Sequence, residues 1–441
     1  MKDKTLRILL IVLVLTAFTS GIGISWLSYN LNFSQIVSIV LFFALTVFSL
    51  VNSKRFPVLY QDNVSLLIYF YFVSNLFSSL FFSPNKTESL KGCAIILSYV
   101  LIYVTTRWAM RFVDDKSGIV RRLINYNTFS GLVGLVCMVV AFATGGENFG
   151  ISYGHLAQSG VDDLRSPIPS IKSFSIEPNL FAIITAVIFC LTLSKYLFWK
   201  RTSKQSLVIA ILSASIIFSY TRSVYVALLI ALMVMLVLSN RVRQLMSVFN
   251  LGVISVFLAL VVYFFLPESS SIKTAISSRV TSVFDFEKGS GLGRVQGYLM
   301  GMEGFFHRPI FGNGTLSADT QFYNVYRKIY QERMGSAGWL NGVFIQSLHD
   351  TGILGLLVVI AIYISIIRKN YNIFKRLEAG EPKSVIIGFL AGNIILLITS
   401  QFSSTLWISF PYIYWGINLA YLSMCQSSLI NERPEHLKVH E

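Results

Sequence analysis

The residues best suited to chemistry in this sequence are a few charged side chains set among long apolar runs. Arg222 interrupts the apolar stretch 207–238. A charge in hydrocarbon is costly and normally marks a binding site or pathway. If the chain turns at 220–223, Arg222 lies at the membrane face, where its planar guanidinium can hold an anion such as phosphate. The alternative is an interfacial arginine that extends to lipid headgroups.

Two further arginines accompany turn signals in a long polar segment. Arg294 follows Gly291-Leu292-Gly293, which is similar to a phosphate-cradling glycine turn but lacks the Gly-Lys-Ser/Thr of a P-loop. The segment 295–306 is amphipathic with helical period, so we expect Arg294 near a helix N-terminus, where anions bind well. Arg308 precedes Pro309 and the turn residues that end this helix.

Three residues are candidates for the acid/base role, in the order of preference Glu177, His349 and Asp350. Glu177 precedes Pro178 at the start of an apolar run, a pattern that is also ordinary at helix starts. His349 and Asp350 are adjacent, and adjacent residues on a helix do not face each other. We therefore do not expect them to pair by themselves, and Asp350 also suits the N-cap of the next helix.

The composition places these residues in a membrane protein. The 441-residue chain is 54% hydrophobic and only 13% charged, against about 25% charged in soluble proteins. Apolar runs of about 20 residues predict transmembrane helices. We expect an all-α polytopic membrane protein with about twelve transmembrane helices and one large periplasmic loop containing helical segments. The predicted spans are 6–28, 33–52, 64–83, 92–110, 123–144, 179–198, 206–220, 223–239, 246–266, 350–367, 384–401 and 406–425.

Charge distribution predicts the orientation. Most of the 36 lysines and arginines fall in segments that alternate along the chain, which puts both termini on the cytoplasmic side of the membrane. The first apolar run resembles a signal sequence but reads as an uncleaved helix. The net charge of +15 follows the same bias, and we expect no nucleic-acid partner. The scattered cysteines and histidines give no metal-ligand spacing, so we expect neither a metal nor a cofactor.

Four segments follow from these boundaries. Residues 1–178 hold helices one to five and the first periplasmic loop, and 179–266 hold helices six to nine. Residues 267–349 form the large periplasmic loop, and 350–441 hold the last three helices and a cytoplasmic tail. Within 339–367 we expect a break at Asp350-Thr351-Gly352 between a short outer helix and a membrane helix.

Several short motifs, in order along 170–367, resemble the O-antigen ligase/polymerase superfamily. They are Thr221-Arg222-Ser223, Gly293-Arg294-Val295 with its amphipathic helix, Pro309-Ile310-Phe311-Gly312-Asn313-Gly314, and Asp350-Thr351-Gly352-Ile353-Leu354-Gly355. Glu177-Pro178-Asn179 is similar to a feature of many polymerase members. Ligases of the family usually carry a His-Asn pair about ten residues before the glycine that follows the acid. Asn341-Gly342 stands at that place here, a departure that counts against a ligase.

The resemblance implies a metal-independent glycosyltransferase at the outer leaflet. Its donor would be a glycan on undecaprenyl pyrophosphate, with Arg222, Arg294 and Arg308 binding the pyrophosphate and Glu177, His349 or Asp350 acting as base. We expect an O-antigen or related polysaccharide polymerase. Its partners would be lipid-linked oligosaccharide, membrane lipid and a chain-length regulator. The alternatives are a ligase acting on lipid A–core, a flippase of lipid-linked sugars and a non-catalytic assembly partner.

Overall fold

The computed structural model describes residues 2–16, 23–26, 29–51, 62–143, 161–162, 170–175, 177–238, 264–265, 267, 273, 289–319, 340 and 342–431. Twelve α-helices lie within these ranges. They are α1 (Lys2–Thr16), α2 (Phe33–Val51), α3 (Asn63–Phe81), α4 (Lys86–Ala109), α5 (Lys116–Ala143), α6 (Pro178–Phe198), α7 (Ser203–Ile217), α8 (Arg222–Leu238), α9 (Gly289–His307), α10 (Val343–Arg376), α11 (Glu381–Thr399) and α12 (Ser409–Asn431). Short 3₁₀ turns cover Met110–Phe112, Ser317–Asp319 and Thr405–Trp407.

Helix length and composition agree with a membrane-spanning body. Among the described residues, 7 helices are long and apolar enough to cross a membrane: α2 to α6, α10 and α11. The shorter apolar helices include α7 and α8. The expectation of an all-α polytopic membrane protein is therefore confirmed. The predicted span 246–266 lies outside the described residues except for Phe264 and Phe265.

The predicted first span, 6–28, is wrong at its end. Within the described residues, helix α1 covers Lys2–Thr16, and the end of the predicted span lies in two short antiparallel strands, β1 (Gly23–Trp26) and β2 (Tyr29–Asn32). Gly23, the first residue of β1, is one reason for the difference, because glycine is about 1 kcal/mol less favourable than alanine inside a helix. A second small pair, β3 (Val161–Asp162) and β4 (Ser170–Ile171), lies before α6.

Helix α6 is the centre of the bundle and packs antiparallel to α11. Its apolar residues are buried on all sides, which fits a helix enclosed by other helices. Gly388 and Gly392 of α11 allow the close approach, since an added Cβ would lie 2.9 Å from an atom of Leu191 and of Val187, respectively. Lys195 Nζ lies 2.6 Å from Glu381 Oε1, so the C-terminal end of α6 meets the N-terminal end of α11.

Candidate active site

A break in α10 forms the centre of the candidate site. Gly352 has φ 67° and ψ −160°, a left-handed conformation that only glycine adopts without strain. The break predicted at Asp350-Thr351-Gly352 is present, and the helical segment before it begins at Val343. A break inside a buried helix frees backbone carbonyls, which must find other donors.

The turn after α9 supplies those donors. The backbone N–H of Asn313 donates to the His349 carbonyl over 3.0 Å, and that of Gly314 donates to the Asp350 carbonyl over 2.9 Å. In return, the N–H of Ile353 donates to the Pro309 carbonyl over 2.8 Å. The Pro309–Gly314 motif and the Asp350–Gly355 motif, which are separate in sequence, therefore form one backbone unit.

His349 and Asp350 form a hydrogen-bonded pair, so the expectation that they would not pair is wrong. His349 Nδ1 lies 2.8 Å from Asp350 Oδ1, and Gln346 Nε2 donates to Asp350 Oδ2 over 2.6 Å. The Leu316 backbone N–H also bonds to Asp350. These donors hold the Asp350 carboxylate beside the His349 ring. The rule that adjacent helical residues do not face each other takes no account of such donors.

The pair has the arrangement of a positioned base. An ionised carboxylate only accepts hydrogen bonds, so it places the proton of a neutral imidazole on Nδ1 and leaves the lone pair on Nε2. This is how a carboxylate orients a histidine base in hydrolytic enzymes. His349 is 0% exposed and Asp350 is 1% exposed. A substrate hydroxyl must come within hydrogen-bond reach of the base, so His349 could serve only in a more open conformation.

Glu177 and Arg222 lie together at a second corner of the bundle. Residues 218–221 turn the chain between α7 and α8, two residues earlier than the predicted 220–223, and Arg222 is the first residue of α8. The hydroxyl of Thr221 donates to Asn179 Oδ1 over 3.2 Å, which joins this turn to the start of α6. Arg222 is exposed at a helix N-terminus, where backbone N–H groups also favour an anion.

Glu177 occupies the N-cap position of α6, but its side chain makes no capping hydrogen bond. Pro178 follows at the first helical position. The ordinary helix-start role therefore belongs to the backbone of this segment and not to the carboxylate. Glu177 is exposed, so its carboxylate is accessible from water.

The remaining two arginines have different surroundings. Gly291-Leu292-Gly293 is helical and not a turn, so Arg294 lies in the second turn of α9 and not at its N-terminus. The side chain of Arg294 lies outside the described residues. Arg308 is half-buried, and its guanidinium carbon lies 5.9 Å from the Phe82 ring centre. Its Nη1 atom is buried without a hydrogen-bond partner among the described residues.

Both corners lie at one end of the bundle. Because α6 and α11 are antiparallel, Glu177 lies near the C-terminal end of α11. The residues just after α11 contact the other corner: Ser400 accepts from the Val343 N–H over 2.7 Å, and the Gln401 carbonyl accepts from the Tyr298 hydroxyl. The segment after α11 thus lies between the Glu177–Arg222 corner and the His349–Asp350 corner.

The sequence interpretation missed the polar residues of α3 that support this unit. Ser78 Oγ donates to the Asp350 carbonyl over 2.6 Å and accepts from the Gly314 N–H over 3.0 Å. Ser79 Oγ accepts from the Thr315 N–H over 3.0 Å, and Asn75 Oδ1 accepts from the Thr315 hydroxyl over 2.9 Å. Residues 75, 78 and 79 share one helix face. A polar stripe inside an apolar span was the available signal.

Comparison with known families finds a similarity in this part of the chain. Residues 207–360 match the family model described as O-antigen ligase. This segment is similar to the O-antigen ligase/polymerase superfamily. No curated protein matches the chain. The superfamily segment contains Arg222, Arg294, Arg308, His349 and Asp350, whereas Glu177 lies before it.

The resemblance to this superfamily fits the membrane architecture. It supports a multi-pass, glycosyltransferase-like membrane enzyme of surface-polysaccharide synthesis. The superfamily acts on lipid-linked oligosaccharides and membrane lipids. Within the described residues, no group of three or more metal-ligating side chains comes together.

Proposed function

We propose that this protein is an O-antigen or related surface-polysaccharide polymerase. It transfers a growing glycan from undecaprenyl pyrophosphate to a lipid-linked repeat unit at the periplasmic face. The observation that carries the choice of polymerase is the residue type at the ligase His-Asn position. Asn341-Gly342 stands there, and the preceding Leu340 is a buried apolar residue whose N–H donates to Gln346 Oε1 over 2.5 Å.

The reaction has a simple balance of bonds. The acceptor hydroxyl oxygen attacks the anomeric carbon of the donor sugar and forms the new glycosidic bond. The bond between that carbon and the pyrophosphate oxygen breaks, and undecaprenyl pyrophosphate leaves with the electron pair. The hydroxyl proton passes to a general base. Preorganised cations stabilise the charge that develops on the leaving group.

We assign the leaving-group role to Arg222 and Arg294, with Arg308 as a third cation beside the Pro309–Gly314 turn. Arg222 is supported by its exposure at the start of α8, because a helix N-terminus and a guanidinium attract the same anion. Arg308 is supported by its buried Nη1 atom, which has no hydrogen-bond partner among the described residues and so has bonding capacity left for a ligand.

We assign the base role to Glu177 first and to His349, oriented by Asp350, second. Glu177 is exposed and shares its corner with Arg222 through the Thr221–Asn179 contact. The base must reach the acceptor hydroxyl and the cation must reach the leaving pyrophosphate. Both of these groups are bonded to one anomeric carbon in the transition state, which favours residues that share a corner. His349 has the better orienting partner but is enclosed.

A ligase is the second candidate function, because the matching family model is described as O-antigen ligase. Deletion of the gene, followed by gel analysis of surface polysaccharide, separates the candidates. A polymerase deletion leaves lipid A–core bearing one repeat, whereas a ligase deletion leaves unmodified core and accumulated lipid-linked polymer. Loss of repeats from the outer leaflet would instead indicate a flippase. Complementation with the wild-type gene must restore long chains in each case.

A further inference from the structure

A basic cavity lies at the end of the bundle opposite the candidate active site. Helix α4 shows the direction: Gly92 near its start lies against Thr315 of the loop after α9, and Arg107 lies at its other end. The cavity has a volume of about 430 Å³ between α4, the start of α5 and α12. Its polar lining consists of Arg107, Arg111, Lys116, Ser423, Ser427 and Ser428. None of the described lining residues is acidic.

Arg107 is a fixed wall of this cavity. Its Nη1 donates to the Asp62 carboxylate, to Ser65 Oγ over 2.5 Å and to the Tyr103 hydroxyl over 3.1 Å. Burial opposes ionisation of Asp62, but the Arg107 and Lys369 charges and the hydrogen bonds lower its pKa below the usual value. Asp62 therefore stays charged and balances Arg107. Arg111 and Lys116 add two further positive charges to the lining of the cavity.

The opposite wall, on α12, is built of hydroxyls and apolar side chains. Ser423, Ser427 and Ser428 are exposed and bond to carbonyls of their own helix. Such hydroxyls can rotate to donate to a ligand oxygen. Met110 and Met424 line the same cavity. A site that combines cations, hydroxyls and methionines suits a ligand with a phosphate head and an apolar body.

We propose that this cavity binds the phosphate headgroup of an anionic phospholipid. Its position at the ends of membrane-length helices puts it at headgroup level, and basic pockets between transmembrane helices on the cytoplasmic side recognise anionic headgroups. Inorganic phosphate carries the same anionic group as the lipid headgroup, but it has no apolar body to contact Met110 and Met424. The site is separate from the proposed transferase chemistry, and its test does not depend on activity.

The test measures thermal unfolding of the purified full-length protein in detergent, with added phosphatidylglycerol, zwitterionic phosphatidylcholine or inorganic phosphate. A ligand that binds only the folded state raises the unfolding midpoint. We expect phosphatidylglycerol to raise the midpoint of the wild type more than the other two do. The double variant Arg111→Gln/Lys116→Gln should fold and lose most of this shift. The control variant Lys200→Gln/Lys204→Gln removes two exposed lysines outside the cavity and should keep the shift.

Three results would overturn the proposal. The first is an equal phosphatidylglycerol shift in the cavity variant and in the wild type. The second is an equal shift with phosphatidylcholine, which would show that the cavity does not distinguish lipid headgroups by their net charge. The third is an equal shift with inorganic phosphate alone, which would assign the cavity to a soluble anion. If the cavity variant unfolds during purification, the single variant Arg111→Gln replaces it, with loss of at least half of the shift expected.

Discussion

Gly312 and Gly352 bring two distant segments into backbone contact. A Cβ added to Gly312 would lie 2.4 Å from the Asp350 carbonyl, and one added to Gly352 would lie 2.4 Å from the Ile310 carbonyl. Both glycines have positive φ, 70° and 67°. Glycine is therefore required at each position for two reasons: the positive φ angle and the lack of space for a side chain.

Alanine at either glycine should destabilise the protein strongly. Left-handed strain costs roughly 1–2 kcal/mol per residue, and overpacking adds about 1–3 kcal/mol. We expect Gly312→Ala and Gly352→Ala to lower the thermal unfolding midpoint and the membrane level. The control is Gly380→Ala, whose Cβ would meet only Pro382 Cδ at 3.7 Å. Midpoints equal to that of the control would contradict the packing described here.

Ser78 should be a positioning residue for the same unit. Ser78→Ala removes a hydroxyl that bonds to both Asp350 and Gly314, and each buried group left unpaired costs about 1–3 kcal/mol. The matched control is Ser74→Ala on the same helix, whose hydroxyl, among the described residues, bonds to the Tyr71 carbonyl alone. We expect a lower unfolding midpoint for Ser78→Ala alone. Equal midpoints would remove Ser78 from the support of this site.

Arg222 and Arg294 should be needed for long chains. Lysine keeps the charge but loses the bidentate fork. We expect Arg222→Ala and Arg294→Ala to abolish polymer, and the lysine variants to keep at most partial chain length on gels. Arg121→Ala, an exposed arginine of α5, is the control and should make full-length polymer. Polysaccharide of full chain length in both alanine variants, at normal protein levels, would contradict the assignment of Arg222 and Arg294 to the pyrophosphate.

Glu177→Gln tests the proposed base. It keeps size and much hydrogen bonding but loses basicity, and loss of a positioned base costs about 10²–10⁴-fold in rate. Because Glu177 is exposed and makes no cap bond, we expect the unfolding midpoint to stay unchanged while the transfer rate falls. Single-turnover transfer in membrane vesicles measures the rate. A normal rate in Glu177→Gln would leave Glu177 as a helix-start residue only.

Asp350→Asn should behave differently. Both carboxylate oxygens of Asp350 accept hydrogen bonds, so the NH₂ group of an asparagine at this position would face another hydrogen-bond donor. We expect a lower unfolding midpoint together with lower activity. If this variant is stable and inactive while Glu177→Gln polymerises normally, the base lies in the His349–Asp350 pair.

The orientation can be tested by cysteine labelling. Glu88 lies at the start of α4 and Lys200 follows α6, at opposite ends of the bundle, and both are exposed. In a background without the four native cysteines, Glu88→Cys should react with a membrane-impermeant maleimide in intact spheroplasts. Lys200→Cys should react only after lysis. The reverse pattern would place the candidate active site in the cytoplasm.

Local signals in the sequence predicted the local features. Glycine and short polar residues marked the break at Gly352 and the turn before Arg222, because those conformations are properties of a few neighbouring residues. The contact between the Pro309–Gly314 turn and α10 has no such signal. Asn313 and His349 are 36 residues apart, and Ser78 and Asp350 are 272 apart. Residues that meet only in the folded chain carry no local pattern.

The wrong predictions have the same origin. The glycines at 291 and 293 indicated a turn, yet they are helical in α9, whose buried Met300 and Gly301 pack beside Leu340 and Ile345. Tertiary packing overrode a weak local preference. His349 and Asp350 pair because Gln346 and Leu316 hold the carboxylate from other directions.

The Lys195–Glu381 ion pair has a consequence for biogenesis. Its partners are 186 residues apart, so α6 leaves the ribosome and enters the bilayer long before α11 exists. Until then Lys195 must rely on its long stem to reach the aqueous interface, which its place near the end of α6 permits. Helix α6, the most enclosed of the described membrane-length helices, is thus inserted early and faces lipid until the later helices pack against it. A nascent chain stopped before residue 381 should be inserted but protease-sensitive, with its central helix still facing lipid.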